Sequence, residues 1–149
     1  MADDLQQLSD WLSPLLQNLS SSERRKLMQT VGRELRRRNQ QRIQRQTDPD
    51  GQPYTPRLRK QKGRIKQQAM FSKLRLARYL RLASTADAAA VQWAGQVAHV
   101  ASIHHYGKSA RVSRNGPLHK YAERRLLGFA SEDPDDIADI ILERLAAGL

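Results

Sequence analysis

Between residues 23 and 81 the chain carries 19 of its 26 lysines and arginines against four acids, Glu23, Glu34, Asp48 and Asp50. That stretch is net +15, the remainder is net −4, and the tail from Ser131 onward is net −5. The molecule is therefore bipolar rather than uniformly basic, and such asymmetry points to a polyanionic partner or to charge-matched contacts with neighbouring subunits. It also limits the fold, because the basic stretch offers only thin apolar stripes. With 149 residues the chain has the size of a single domain, 1–149, and its 39% of hydrophobic residues can build one core. The absence of cysteine removes disulfide frameworks, thiolate zinc sites and cysteine nucleophiles together.

The start, MADDLQQLSDW, lacks a basic region followed by an apolar run, so a signal peptide is not expected. No stretch approaches the ~18 apolar residues of a membrane span, and no membrane partner is expected. Residues 3–19 read as an amphipathic helix on Leu5, Leu8, Trp11, Leu12, Leu15, Leu16 and Leu19, with Pro14 expected to kink or divide it. Ser20 to Ser22 offer an N-cap to a second helix, from Glu23 to about Gln46. Its stripe (Leu27, Met28, Val31, Leu35, Ile43) is narrow and broken near Asn39, which predicts that the last turns project from the body. Asp48-Pro49-Asp50-Gly51 ends it as a turn. Residues 57–69 are basic and nearly without a core face, and are expected to form either a flexible loop or a segment that orders on contact.

Apolar residues return at Met70. A short helix or turn is expected at 71–77, a strand over 79–84, a turn at 85–88 and a partner strand over 89–94. Gln96 to Tyr106 reads as a helix closed by Gly107. Arg111-Val112-Ser113 and Leu118-His119-Lys120-Tyr121, flanking Arg114-Asn115-Gly116, read as a hairpin. Asp133-Pro134-Asp135-Asp136 opens a final helix with acids at its positive end. The fold class is α+β: two N-terminal helices, a small antiparallel sheet over 79–122, and a C-terminal helix packed on the sheet.

No arrangement for catalysis emerges. There is no Gly-x-Ser-x-Gly elbow, phosphate-binding glycine loop or acidic cluster for Mg²⁺. His99, His104 and His105 crowd seven residues, but helical metal ligands pair at three or four, and no acid lies within the segment. They are read as packing or hydrogen-bonding groups, with no metal and no cofactor. The arginines lack interleaved aromatics and match no zinc finger, RNP motif or basic zipper, so any nucleic-acid contact is expected to ignore sequence.

Three strings remain: Asp48-Pro49-Asp50-Gly51-x-x-Tyr54, Ile103-His104-His105-Tyr106-Gly107, and Arg125-Leu126-Leu127-Gly128-Phe129 before the acid-capped helix. With Met70-Phe71-Ser72-Lys73-Leu74-Arg75-x-x-Arg78-Tyr79-Leu80 between them, the order resembles the phage virion morphogenesis family, the tail-completion proteins of Mu-like and related contractile-tailed bacteriophages. The resemblance spans about residues 20–145. The chain departs from it at Tyr54, where the family often has tryptophan, and at Tyr121 to Arg125, where it commonly has Pro-Ala-Arg.

The resemblance implies a structural, non-enzymatic protein that completes the tail and joins it to the head, as a ring at the head–tail junction (tail terminator or neck ring). Its partners would be further copies of itself and other phage neck and tail proteins. It would be located in the virion after assembly in the host cytoplasm. The residues implied in assembly are Asp48, Pro49, Gly51, Tyr54, His104, Tyr106, Gly107, Arg125, Leu127, Gly128 and Phe129. Arg36, Arg37, Arg42, Arg45, Arg57, Arg59, Lys60, Lys62 and Arg64 become basic contacts to packaged DNA or to the next ring. The alternative is a sequence-independent basic DNA-binding protein.

Overall fold

A computed structural model describes residues 2–57 and 69–148. The elements are α1 (Ala2–Gln17), α2 (Ser21–Arg45), β1 (Leu80–Ser84), β2 (Ala89–Trp93), α3 (Gln96–Tyr106), β3 (Ser109–Arg111), β4 (Leu118–Lys120) and α4 (Asp133–Ala146). The class is α+β, as expected. The strands, however, form two separate two-stranded sheets, β1–β2 and β3–β4, rather than one. Each is a hairpin closed by its own turn, and α3 intervenes between them in the chain. Residues 71–79 form a succession of turns. The chain divides into two compact units, Met1–Arg37 with Leu82–Val91 and Phe129–Leu149, and Arg38–Arg81 with Gln92–Gly128.

The first unit is built on helix stripes. Leu12 of α1, Leu27, Met28, Val31 and Leu35 of α2, and Ile137 and Ile141 of α4 form its buried cluster. Ala89 and Val91 of β2 pack against the same cluster, so α4 shares a core with strand and helices alike. Pro14 lies inside α1 without dividing it. An interior proline costs a helix about 3 kcal/mol, but Leu12 is buried and Leu8 and Leu16 pack against the core. Each such leucine contributes about 1.5–3 kcal/mol when fully buried, enough to keep both sides of the helix in place.

The entry to α2 is a capping box. The Glu23 amide donates to Ser20 Oγ (3.2 Å) and the Ser20 amide donates to Glu23 Oε2 (3.1 Å). At α4 the buried Asp133 accepts from the Ala130 amide through Oδ2 (2.8 Å). The carboxylate thus fixes the turn that leads into the helix.

The second unit has a smaller core of Tyr54, Ala101 and Leu126, with Met70, Phe71, Leu74 and Trp93 packed against it. The end of α2 does not project: Asn39 and Ile43 are buried. Asn39 interrupts the apolar stripe because it is used as a buried acceptor, and the polar gap in the periodicity is a contact. In the second hairpin, Ser109, Ala110 and Arg111 pair with Lys120, His119 and Leu118. The Ser113 to Gly116 turn (Gly116 amide to Ser113 carbonyl, 3.0 Å) absorbs Ser113. Its first strand therefore lies two residues earlier than the sequence suggests.

Candidate assembly site

Apart from Phe129, the three sequence strings meet inside the second unit, and backbone chemistry explains how. After α2, Gln46 takes a left-handed conformation (φ 61°). Its side-chain amide donates to the Met70 carbonyl and accepts from the Met70 amide, both at 2.8 Å. That pair fixes the chain just before Phe71, the other non-glycine residue with positive φ (63°) among those described. The Asp48 carboxylate closes its own turn, accepting from the Asp50 and Gln52 amides at 2.9 Å each through Oδ1.

The turn is held from the third string. Arg125 pairs with Asp50 and also reaches Asp48 Oδ2 at 3.4 Å. Gly128 lies over Pro49, and a Cβ built on it would sit 2.7 Å from Pro49 Cγ. The two sides of the Gly128 peptide are taken by α2. Its amide donates to Asn39 Oδ1 (3.1 Å), and its carbonyl accepts from Arg42 Nη1 (2.8 Å), which also donates to Asn39 Oδ1 (3.1 Å). Arg124 is buried and donates to the carbonyls of Thr55 (2.7 Å) and Pro56 (3.1 Å). A guanidinium is suited to this, since its planar fork can satisfy two fixed carbonyls at once.

The second string supplies the middle. Gly107 caps α3 in the left-handed conformation (φ 62°), and a Cβ at this position would meet the Glu123 amide nitrogen at 2.9 Å. Glycine is needed there for both reasons. The Arg124 amide donates to the His104 carbonyl (2.8 Å), and His105 Nδ1 accepts from the Leu126 amide (3.2 Å). His104 packs edge-on between Phe71 (5.0 Å between centroids) and Tyr121 (4.9 Å), and Tyr54 meets Phe71 at 5.8 Å. Burial, then the Arg124 charge, lowers the His104 pKa below the ordinary histidine value. Burial also lowers that of His105, with Glu123 opposing and Arg125 assisting. Burial, then the Asp48 charge, pushes the Tyr54 hydroxyl up to about 12.

Most of the residues implied by the resemblance thus gather in one unit. Leu127 is half-buried there, while Tyr106 is 64% exposed, with Lys108 Nζ 5.2 Å from its ring centre. Phe129 is different: it packs against the core of the first unit. Asn39, Gln46 and Arg124 carry as much of the geometry without being implied in assembly, and of these Asn39 alone left a signal, as the polar break in the α2 stripe. His105 and Leu126, which lie inside the second and third strings, share a hydrogen bond, in keeping with the reading of the histidines as packing or hydrogen-bonding groups.

The basic residues do not behave as a set. Arg42 is committed to the Gly128 loop, and Arg37 pairs with Glu34 one helical turn away. Arg36 is half-buried; Arg45 and Arg57 are exposed. Arg59, Lys60, Lys62 and Arg64 lie outside the described residues. In the first unit an open cleft of about 350 Å³ is lined by Arg33, Arg37 and Arg144 and by Glu34 and Glu143, so its charges largely offset one another. Among the described residues no three His, Cys, Asp or Glu side chains are grouped to hold a metal, and no helix is long and apolar enough to cross a membrane.

The model of the phage virion morphogenesis family matches residues 3–146. The tail completion protein S of Escherichia phage P2 is 36% identical over 148 residues, covering 96% of this chain and 98% of that protein. No solved structure matches.

Proposed function

The chain belongs to the phage virion morphogenesis family, and from that membership we propose that it completes the phage tail and joins it to the head, as a ring at the head–tail junction. The observation that carries the reading is the full-length likeness to a tail completion protein, end to end in both chains. In this reading the whole chain acts as one morphogenesis module in the virion, with other copies and neighbouring neck and tail proteins as its partners. It is a structural part rather than an enzyme. The polar side chains of the second unit support this, because Asp48, Asn39, Arg42, Arg124 and Arg125 are engaged in holding loops. The motif residues then act by shaping rigid loops at the interfaces of the particle.

Deleting the gene from its phage tests this directly. Filled heads and separate tails should accumulate in micrographs, and supplying the protein in trans should restore joined particles. Normal particles in its absence would sink the proposal. Sequence-independent DNA binding predicts instead a duplex affinity that falls steeply with salt. The internal use of Arg42 and the Arg37–Glu34 pair reduce the charge available for it.

A further inference from the structure

The β3–β4 hairpin has one covered and one open face. Side chains alternate across a strand, and the register sets Ala110 opposite His119 on the half-buried side. Ser109, Arg111, Leu118 and Lys120 share the other, and all four are exposed. Leu118, at 70%, is the most exposed large apolar side chain among the described residues. It stands across from Arg111, which donates through Nη1 to the Gly116 carbonyl (3.0 Å) and keeps its charge exposed on this face, and two residues from Lys120. Residues 107–122 contain Lys108, Arg111, Arg114 and Lys120 and no acid.

The first unit carries a counterpart of opposite sign. Ile137 and Ile141 turn one side of α4 into the core. At helical spacing Asp135, Asp139, Leu142 and Ala146 fall within one stripe on the opposite side, and each is exposed. Leu142 is 44% exposed and belongs to no cluster of the unit. Asp135 lies about 10 Å and Asp139 about 5 Å along the helix from it, at 1.5 Å per residue. Single exposed leucines are ordinary. Two of them on regular elements, one set among cations and the other among anions, form a complementary pair.

We propose that the open face of the β3–β4 hairpin of one copy docks on the Asp135–Asp139–Leu142 stripe of α4 in the next. The two leucines meet at the centre, and Arg111 and Lys120 face the aspartates. This deepens the ring reading and rests on it. The contact joins two different patches of identical chains, so it is heterologous, the type that closes a ring when the rotation between copies permits. An exposed leucine at the centre fits a protein partner better than a phosphate backbone, which would favour cations alone.

The chain has no cysteine of its own, so Leu118→Cys combined with Leu142→Cys gives a clean crosslinking test. Under mild oxidation, both free in solution and on isolated tails, the double variant should form a ladder of disulfide-linked oligomers, while each single variant stops at dimers. Charge reversal supplies the second measurement. Arg111→Glu with Lys120→Glu should weaken self-association about a hundredfold by sedimentation, the expected effect of placing like charges together at an interface. Adding Asp135→Lys and Asp139→Lys to the same chain should restore it, which a misfolded variant could not do.

Oligomers indifferent to reversal, with no ladder, overturn this docking contact and leave the ring intact. A wild-type chain that stays monomeric both free and on tails overturns the ring, and the contact with it. Loss of duplex affinity with unchanged oligomers would make the hairpin a DNA surface. Unchanged oligomers that no longer attach to tails would give it to a different tail protein. Either result removes the proposal.

Discussion

Replacing Asn39 by alanine should be among the most damaging single changes in the second unit, although it deletes only a small polar group. Its Oδ1 accepts from both the Gly128 amide and Arg42 Nη1, at 3.1 Å each, in a residue only 4% exposed. Each bond contributes about 1 kcal/mol net, rather more for the charged donor, and stranding the Gly128 amide adds part of a 1–3 kcal/mol desolvation cost. Arg42 keeps its bond to the Gly128 carbonyl, so the total comes to about 2–4 kcal/mol. Urea unfolding followed by tryptophan fluorescence measures it. Trp93 belongs to this unit and donates to the Leu74 carbonyl at 3.0 Å, while Trp11→Phe silences the exposed tryptophan of α1. With a slope near 2 kcal/mol/M, the midpoint should fall by about 1–2 M. Gly128→Ala acts on the same contact through Pro49 and should cost about 1–3 kcal/mol by overpacking. The double variant should lose at least about 0.5 kcal/mol less than the sum of the two. A loss below about 0.5 kcal/mol for Asn39→Ala, or strict additivity, would refute the view that α2 and the Gly128 loop are one network.

Gly107→Ala combines a left-handed backbone with a contact of 2.9 Å to the Glu123 amide, so thermal denaturation should show a loss of at least about 2 kcal/mol. Ser20→Ala should cost about 1 kcal/mol through the lost capping box, and far-ultraviolet circular dichroism during melting will report it. Tyr54→Phe should be neutral or mildly stabilising in the same melts, because the buried Tyr54 hydroxyl finds no hydrogen-bond partner among the described residues. The lowered pKa values of His104 and His105 mean that the unfolded chain binds more protons than the folded one just below pH 6.5. Stability is then complete above that pH and declines as the pH falls toward the folded-state values. Urea midpoints at pH 8 and pH 5 should differ, and His104→Phe with His105→Asn should shrink the difference.

Regular elements were legible because each was announced by local chemistry. Ser20 and Glu23 mark the start of α2, Gly107 marks the end of α3 at the expected residue, and Pro134 with three first-turn acids opens α4. What failed to show were partnerships between residues far apart in sequence. Asn39 read as a break in a stripe, and the end of α2 as a projection, because the group that satisfies Asn39 lies 89 residues later. Gln46 and Phe71 carry side chains without the usual preference for positive φ, so neither advertised the clamp around Met70. The split of the strands into two sheets was equally silent, since hairpin signals specify a turn and its two arms but not which hairpins join.

The distribution of arginine is where structure alters the meaning of composition. The charge of residues 23–81 suggested one polyanion-binding surface, yet Arg42 is occupied with a loop carbonyl and Arg37 with Glu34. Arg124 and Arg125 lie outside that segment and are spent on Thr55, Pro56, Asp48 and Asp50. A buried guanidinium loses hydration that only fixed acceptors can replace, so such residues tie loops rather than bind diffusing partners. Charge that remains available for partners must then be sought where cations stand on open faces without neighbouring acids. The β3–β4 hairpin lies outside the basic stretch and carries Lys108, Arg111, Arg114 and Lys120, all exposed, with no acid between residues 107 and 122; Arg111 also donates to the Gly116 carbonyl within the hairpin (3.0 Å). Local exposure, rather than total charge, therefore identifies the surface on which an assembly partner can act.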